Sequence, residues 1–213
     1  MNGFAQDLKS EIESGLPGTE VQWALASSDR LIKDFPGIPR EDSASAAVLI
    51  LLYPDDGKIN TLFIQRPDYD GVHGGQISFP GGKREKDDRD LIATSLREAA
   101  EETGIIAGEV EIIGTLTPLF IPVSNIVVTP VVGWTGSKPE LQPEPSEVLF
   151  IIEADLAPFI DYSIVKTRPW EIKGETINIK YFDYQGHVIW GATAMILHEL
   201  LTIIKRARLS PPV

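Results

Sequence analysis

Cysteine is absent from all 213 residues. That excludes a disulfide framework, a thiolate-ligated zinc or iron–sulfur centre, and thiol catalysis. Histidine is scarce: His73, His187 and His198 are scattered and show no His-Glu-x-x-His spacing, so a zinc site is not expected. Basic residues are outnumbered, with 19 Lys and Arg against 31 Asp and Glu and a net charge of −12. A nucleic-acid backbone binder would carry a basic face to displace counterions, so no nucleic-acid partner is expected. The same balance argues against docking on an anionic membrane. The most apolar run, Ala46 to Tyr53, is far too short to span a bilayer. Met1 to Ser14 lacks a basic stretch followed by an apolar one, which predicts no signal peptide. A Gly-x-Ser-x-Gly nucleophile elbow is missing. Gly82-Lys83 ends like a P-loop, but Arg84 replaces the Ser or Thr and Ile77 the first Gly, so that motif fails. What remains is a soluble, cytoplasmic chain. An acidic protein that handles phosphates needs a cation as intermediary, so a divalent metal is the cofactor to look for.

Apolar residues make up 43% and charged residues 23%, enough to bury a real core. The length suits one domain of generous size, or one domain with a terminal extension. We divide it into an N-terminal helical arm, residues 1–42, and a main domain, residues 43–213. Helical pieces are expected at Phe4–Leu16 and Val21–Phe35, ended by Pro17-Gly18 and Pro36-Gly37. Strands are expected at Ala46–Tyr53, Thr61–Arg66, Val110–Leu116, Ile126–Trp134 and Glu147–Ile152, with a turn at Pro54–Gly57 and a short segment at Gln76–Phe79. Lys138–Ser146 is Pro-rich and predicts a surface loop. Ile177–Phe182 and His187–Ile189 predict a hairpin, and Gly191–Arg208 a closing amphipathic helix. Trp190 opens that helix as a core anchor or a base-stacking platform. Ile121–Asn125 is a turn or a substrate-facing loop. The mixture favours an α/β or α+β layered domain.

The informative element is the helix from about Asp90 to Thr103, stopped by Gly104. At about 100° per residue, Ile92, Leu96, Ala99, Ala100 and Thr103 share the face that packs on a sheet. Glu98, Glu101 and Glu102 cluster opposite. Three carboxylates at i, i+3 and i+4 repel by roughly 0.2–0.5 kcal/mol per pair. No Lys follows at i+4 to relieve them, and Arg97 lies on the flank. Such a face is either solvated or a seat for a hard cation such as Mg²⁺ or Mn²⁺. Upstream, the Gly-rich turn Phe79-Pro80-Gly81-Gly82-Lys83 leaves backbone groups open to a ligand or metal.

Gly82 to Ile105 resembles the Nudix box, GX5EX7REUXEEXGU with U aliphatic. Arg97-Glu98-Ala99-Ala100-Glu101-Glu102-Thr103-Gly104-Ile105 matches its second half position for position, with Ala99 as U. The spacing from Gly82 to Arg97 is one residue longer than the standard pattern, so Asp88 or Asp90 fills the first acidic position. Leu62-Phe-Ile-Gln-Arg66 through Gly75-Gln-Ile-Ser-Phe79-Pro-Gly-Gly82 is similar to the signature of the coenzyme A pyrophosphatase subgroup, LLTXR(S/A)X3RX3GX3FPGG. Two positions depart from it: Pro67 replaces the small residue, and Gly71 stands where the signature has its second Arg.

The resemblance implies an α/β/α sandwich with a mixed β-sheet between helices, preceded by the helical arm. It implies hydrolysis of a nucleoside diphosphate derivative, coenzyme A in the first place, to 3′,5′-ADP and 4′-phosphopantetheine. Another nucleoside diphosphate, ADP-ribose or a dinucleotide, is the alternative that Gly71 keeps open, and a non-catalytic ligand-sensing domain is the third. Under the first reading Glu98 and Glu102 are the principal ligands of Mg²⁺ or Mn²⁺, Glu101 completes the site, and the Gly81 carbonyl adds an oxygen. Arg97 orients the glutamates. Glu98, Glu101 or Glu147 serves as general base, unless Glu147 merely starts a strand. Arg66 contacts the substrate, with His73, Lys83 or Arg84 substituting for the Arg missing at position 71. A homodimer is compatible with the family.

Overall fold

The computed structural model describes residues 3–27, 38–67, 75–172 and 174–207. Its centre is strand β1, Ala44–Asp55, an apolar run buried on both faces. Such a run suits a strand covered on both sides rather than one with a wet face. A hairpin joins it to β2, Lys58–Gln65, in the register Leu52↔Thr61 to Asp55↔Lys58. Asp56 and Gly57, at φ 50° and 73°, make the turn, as an Asp-Gly pair does when two left-handed residues are needed. Pro54, expected in the turn, belongs instead to the strand.

The chain continues through β3, Ile77–Ser78, and β4, Gly81–Lys83, to helix α3, Leu91–Thr103. Strands β5, Glu111–Thr115, β6, Leu119–Ile121, and β7, Ile126–Trp134, follow, then β8, Phe150–Asp155. These eight strands form one mixed sheet, in which β1 pairs parallel with β7 from Ala44↔Ile126 to Leu52↔Trp134. Every other pairing in it is antiparallel: β2, β4, β5, β6 and β8 all meet their neighbours that way.

Side chains alternate across β1. Leu49, Leu51 and Tyr53 join Leu62, Val131 and Ala99 in a core under α3. Ile50 and Leu52 join Phe63 and Val132 in the larger core on the other face. That second face is covered by α1, Gly3–Ser14, α2, Thr19–Trp23, and α5, Gly191–Arg206. Helices therefore lie on both sides of the mixed sheet, as the resemblance implied.

The arm shares this core. Phe4, Ala5, Leu8 and Ile12 form the buried stripe of α1. The helix expected over Val21–Phe35 is shorter, and residues 28–35 lie outside the described residues. The strand expected from Glu147 begins three residues later, with Glu147 in the preceding turn.

After β8 comes the single turn α4, Ala157–Ile160, and a second, antiparallel sheet. It contains β9, Val165–Ile172, β10, Glu175–Tyr184, and β11, His187–Trp190. The hairpin expected from Ile177–Phe182 and His187–Ile189, with its turn at Tyr184-Gln185-Gly186, is β10–β11. Tyr184 belongs to β10, and the turn is made by Gln185 and Gly186, both left-handed. β9 was not foreseen, and its Pro169 explains both that and its edge position.

Candidate active site

α3 is held at both ends by its own sequence. The Asp90 side chain accepts from the Ala93 N–H at 2.7 Å, and Gly104, at φ 76°, closes the helix. Thr103 and Glu102 carbonyls at the C-terminus would otherwise lack partners. The Pro-rich loop supplies them, with the Gln142 N–H at 2.8 Å and the Glu144 N–H at 3.1 Å.

β4 lies across β1 in the register Ala46↔Lys83 to Val48↔Gly81, which puts its two glycines against α3. Both positions demand glycine. A Cβ on Gly81, at φ 151°, would stand 2.3 Å from the Ala47 carbonyl oxygen, and one on Gly82 would stand 2.4 Å from the Glu98 carboxylate.

The three glutamates do not share one environment. Glu101 is 56% exposed and bonds to Arg97, whereas Glu98 is mostly covered. Glu102 is 1% exposed, so of the two readings of the acidic face, solvated or a seat for a cation, it does not fit the first. Its Oε2 accepts from the Gly81 N–H at 2.7 Å, and its Oε1 lies 2.9 Å from Arg66 Nη2. That second contact is an ion pair without hydrogen-bond alignment, and Oε1 has no aligned donor. Arg66 Nη2 also donates to the Gly81 carbonyl at 2.8 Å.

Burial pushes the Glu102 carboxyl up to about 7, against the pull of Arg66 and the Gly81 N–H and with help from Glu98 and Glu147. Burial raises Glu98 as well, opposed by Arg97 and reinforced by Glu101 and Glu147. The site is thus short of positive charge. Glu147, exposed in the turn before β8, is close enough for both buried carboxylates to feel it.

Arg97 ties the helix to the loop before it. Its Nε and Nη2 each lie 3.0 Å from an oxygen of Asp88, Nη1 lies 3.0 Å from Glu101, and Nη2 lies 3.1 Å from Glu98. Asp88 accepts further from the Glu85 N–H and the Thr94 hydroxyl, each at 2.9 Å. Arg97 and these donors hold the Asp88 carboxyl well below the usual carboxylate range, and Asp88 and Glu98 raise the Arg97 guanidinium in turn. Of the two candidates for the first acidic position, Asp88 pairs with the arginine and Asp90 caps the helix.

The donors expected to bind substrate are dispersed. Lys83 is exposed on β4. Arg84 is turned back into its own loop, donating to the carbonyls of Asp88 and Arg89 at 3.0 and 3.2 Å. His73 and Gly71 lie outside the described residues. Ile121–Asn125 is a turn, tied to the start of β1 through Asn125, Ser43 and Asp42. Trp190 is half-buried and stacks on Trp170 with ring centroids 5.3 Å apart. The pair lines a cleft of ≈ 300 Å³ with Gln65, Gln76, His187 and Val188, and the cleft adjoins Arg66 in sequence.

Among the described residues, no three His, Cys, Asp or Glu side chains are gathered closely enough to hold a metal ion as placed. The donor chemistry nonetheless fits one. Two covered carboxylates with raised proton affinity, one carrying an oxygen without an aligned donor, are the kind of hard-oxygen donors that a divalent cation takes.

The NUDIX domain model matches residues 44–165. The chain belongs to the Nudix family. It is 35% identical over 168 residues to an uncharacterized Nudix hydrolase, NudL, of Pectobacterium atrosepticum, covering 76% of this chain and 83% of the relative. It is 37% identical over 159 residues to Nudix hydrolase 15, mitochondrial, of Arabidopsis thaliana, covering 71% of this chain and 55% of the relative. The chain therefore spans little more than half the length of that plant protein, and of Nudix hydrolase 22, chloroplastic, of the same organism. Among solved structures, a MutT/nudix family protein from Enterococcus faecalis aligns over 97% of this chain and 76% of its own, with a TM-score of 0.52 at 14% identity. That likeness concerns the fold. No helix of the described residues is long and apolar enough to cross a membrane.

Proposed function

We propose that this Nudix chain is a divalent-metal-dependent hydrolase of the diphosphate bond in coenzyme A or its derivatives, yielding 3′,5′-ADP and 4′-phosphopantetheine, and that it works in the cytoplasm. The observation that carries the hydrolase reading is the burial of Glu102 against Gly81, with Glu98 fitted against Gly82. An acidic helix kept merely for solubility would not sink a carboxylate to 1% exposure. The substrate reading rests on the likeness of Arg66, Gly75 and Phe79–Gly82 to the coenzyme A subgroup signature.

Glu98 and Glu102 would hold Mg²⁺ or Mn²⁺, with Glu101 at the rim of the site. Such an ion neutralises a diphosphate and polarises its phosphoryl oxygens. Arg97 orients Glu98 and Glu101 by charge-assisted bonds and does not touch substrate. Glu147 is the general base we favour over Glu98 and Glu101, because it is exposed to solvent beside both buried carboxylates. Lys83 is the exposed cation nearest in sequence to Gly81 and Gly82, and it substitutes for the Arg missing at position 71.

Chromatography of coenzyme A incubated with the protein, with Mg²⁺, Mn²⁺ or chelator, tests the proposal; 3′,5′-ADP should form only with metal. Gly71 favours a second reading, a different nucleoside diphosphate as substrate. Faster turnover of ADP-ribose than of coenzyme A in a substrate panel would select it. Light scattering on the same sample distinguishes a homodimer from a monomer. Glu102→Gln keeps an acceptor for the Gly81 N–H but loses the charge. It should abolish metal-dependent turnover while leaving the melting transition cooperative, and retained turnover would remove Glu102 from the metal site.

A further inference from the structure

Arg66 contacts the two groups that the metal reading assigns as ligands. One nitrogen, Nη2, lies 2.8 Å from the Gly81 carbonyl oxygen and 2.9 Å from Glu102 Oε1. It serves them unequally. The carbonyl receives a hydrogen bond of good geometry, while Oε1 receives proximity to charge and no aligned donor. Glu102 needs a cation beside it, because a carboxylate at 1% exposure is costly unless paired. The guanidinium is planar and its donors point along fixed directions, and as placed Nη2 is aligned to the carbonyl and not to Oε1. A divalent ion carries no N–H directions of its own and is bound by several oxygens at once.

We propose that Arg66 is a built-in competitor of the catalytic metal: its guanidinium and the divalent ion claim the same pair of oxygens, Glu102 Oε1 and the Gly81 carbonyl. The inference rests on Glu98 and Glu102 being the metal ligands. Arg66 then has two functions. It keeps Glu102 paired and the Gly81 turn in place, and it weakens metal binding, by repulsion or by having to be displaced. Once displaced, the guanidinium is a fixed positive charge at the end of β2, available to an anionic phosphate. Arg66 is a positioning residue in this scheme, and its coupling to the metal is reciprocal.

Two readouts of opposite sign separate this from a purely structural role. In chelator, Arg66→Ala should melt at a lower temperature than the wild type, because Glu102 loses its partner. In Mn²⁺ titrations followed by calorimetry or paramagnetic resonance, the same variant should bind the ion about tenfold more tightly, within the usual span of coupling between sites. Arg66→Lys, which keeps a cation at the position, should retain the weaker affinity of the wild type. A structural role predicts that stability and Mn²⁺ affinity fall together. An Arg66→Ala protein that binds Mn²⁺ no more tightly than wild type therefore overturns the proposal, whether or not it is destabilised. Glu102→Gln is the control: if wild type binds no Mn²⁺, or Glu102→Gln binds it equally well, the metal assignment itself falls and this inference with it.

Discussion

Asp88 accepts both arms of the Arg97 guanidinium together with a backbone N–H and the Thr94 hydroxyl. Its depressed carboxyl gives a stability term of known sign. A carboxylate whose folded value lies below its unfolded value, about 3.9, stabilises the fold fully above that value. The term is lost as pH falls through the folded value. Asp88→Asn should therefore be less stable than wild type in urea at pH 7 and at pH 5, and the gap should narrow by pH 3. A gap that stays constant to pH 3 would show that the pair contributes no net charge interaction.

At the same scale, spacing alone left Asp88 and Asp90 equivalent for the first acidic position of the motif. Only the path of the loop, which folds Asp88 back under Thr94 and leaves Asp90 at the helix start, distinguishes them. Helical geometry groups Glu102 with Glu98 and Glu101 and leaves a solvated face and a cation seat both open. Which carboxylates are covered depends on β4 passing over that flank, and strand pairing is not a local property. The Gly81–Gly82 turn stands out in the sequence for its open backbone, whereas the structure requires its glycines because the chain there touches β1 at Ala47 and α3 at Glu98.

At the scale of elements, what the sequence reveals follows the length of the pattern. α3, with an Asp cap and a Gly stop, and β7, nine residues rich in Val and Ile, are readable without a structure. β3, β4 and β6 have two or three residues each and no period to detect. β9 is hidden by Pro169 and by charged residues that suit an edge.

Helix α5 carries a further element-scale feature, the buried Glu199. Gln22 Nε2 at 2.8 Å, the Thr117 N–H at 3.2 Å, the Thr117 hydroxyl at 2.5 Å and the Gly18 N–H at 3.3 Å all point at its carboxylate. Burial still raises its proton affinity above the ordinary value, although each of those bonds lowers it. Glutamine cannot replace it, because its amide would present a donor to groups that are themselves donors. Glu199→Gln should cost about 1–3 kcal/mol in chemical denaturation, the range for a buried polar group left unpaired. A cost near zero would mean that the Thr117 hydroxyl turns to accept.

Glu199 connects to a question about the whole molecule, since two of its four partner bonds come from residues before the Nudix match. The arm supplies structure rather than an appendage to it. Phe4, Leu8 and Ile12 are buried in the core that holds α5, and Gly114 of β5 leaves room for Ile12, whose Cγ2 would stand 2.9 Å from an added Cβ. The eight-stranded sheet has α3 on one face, so removing the arm would expose part of the opposite face to water. Leu8 is fully buried, and Leu8→Ala should destabilise the fold by about 2–5 kcal/mol. A chain beginning at residue 43 should lose its cooperative transition or melt far below the full chain, although every residue assigned to the metal and substrate is retained. A truncated chain with unchanged melting and turnover would show that residues 43–213 fold without the arm. It would also limit Glu199 to anchoring Thr117.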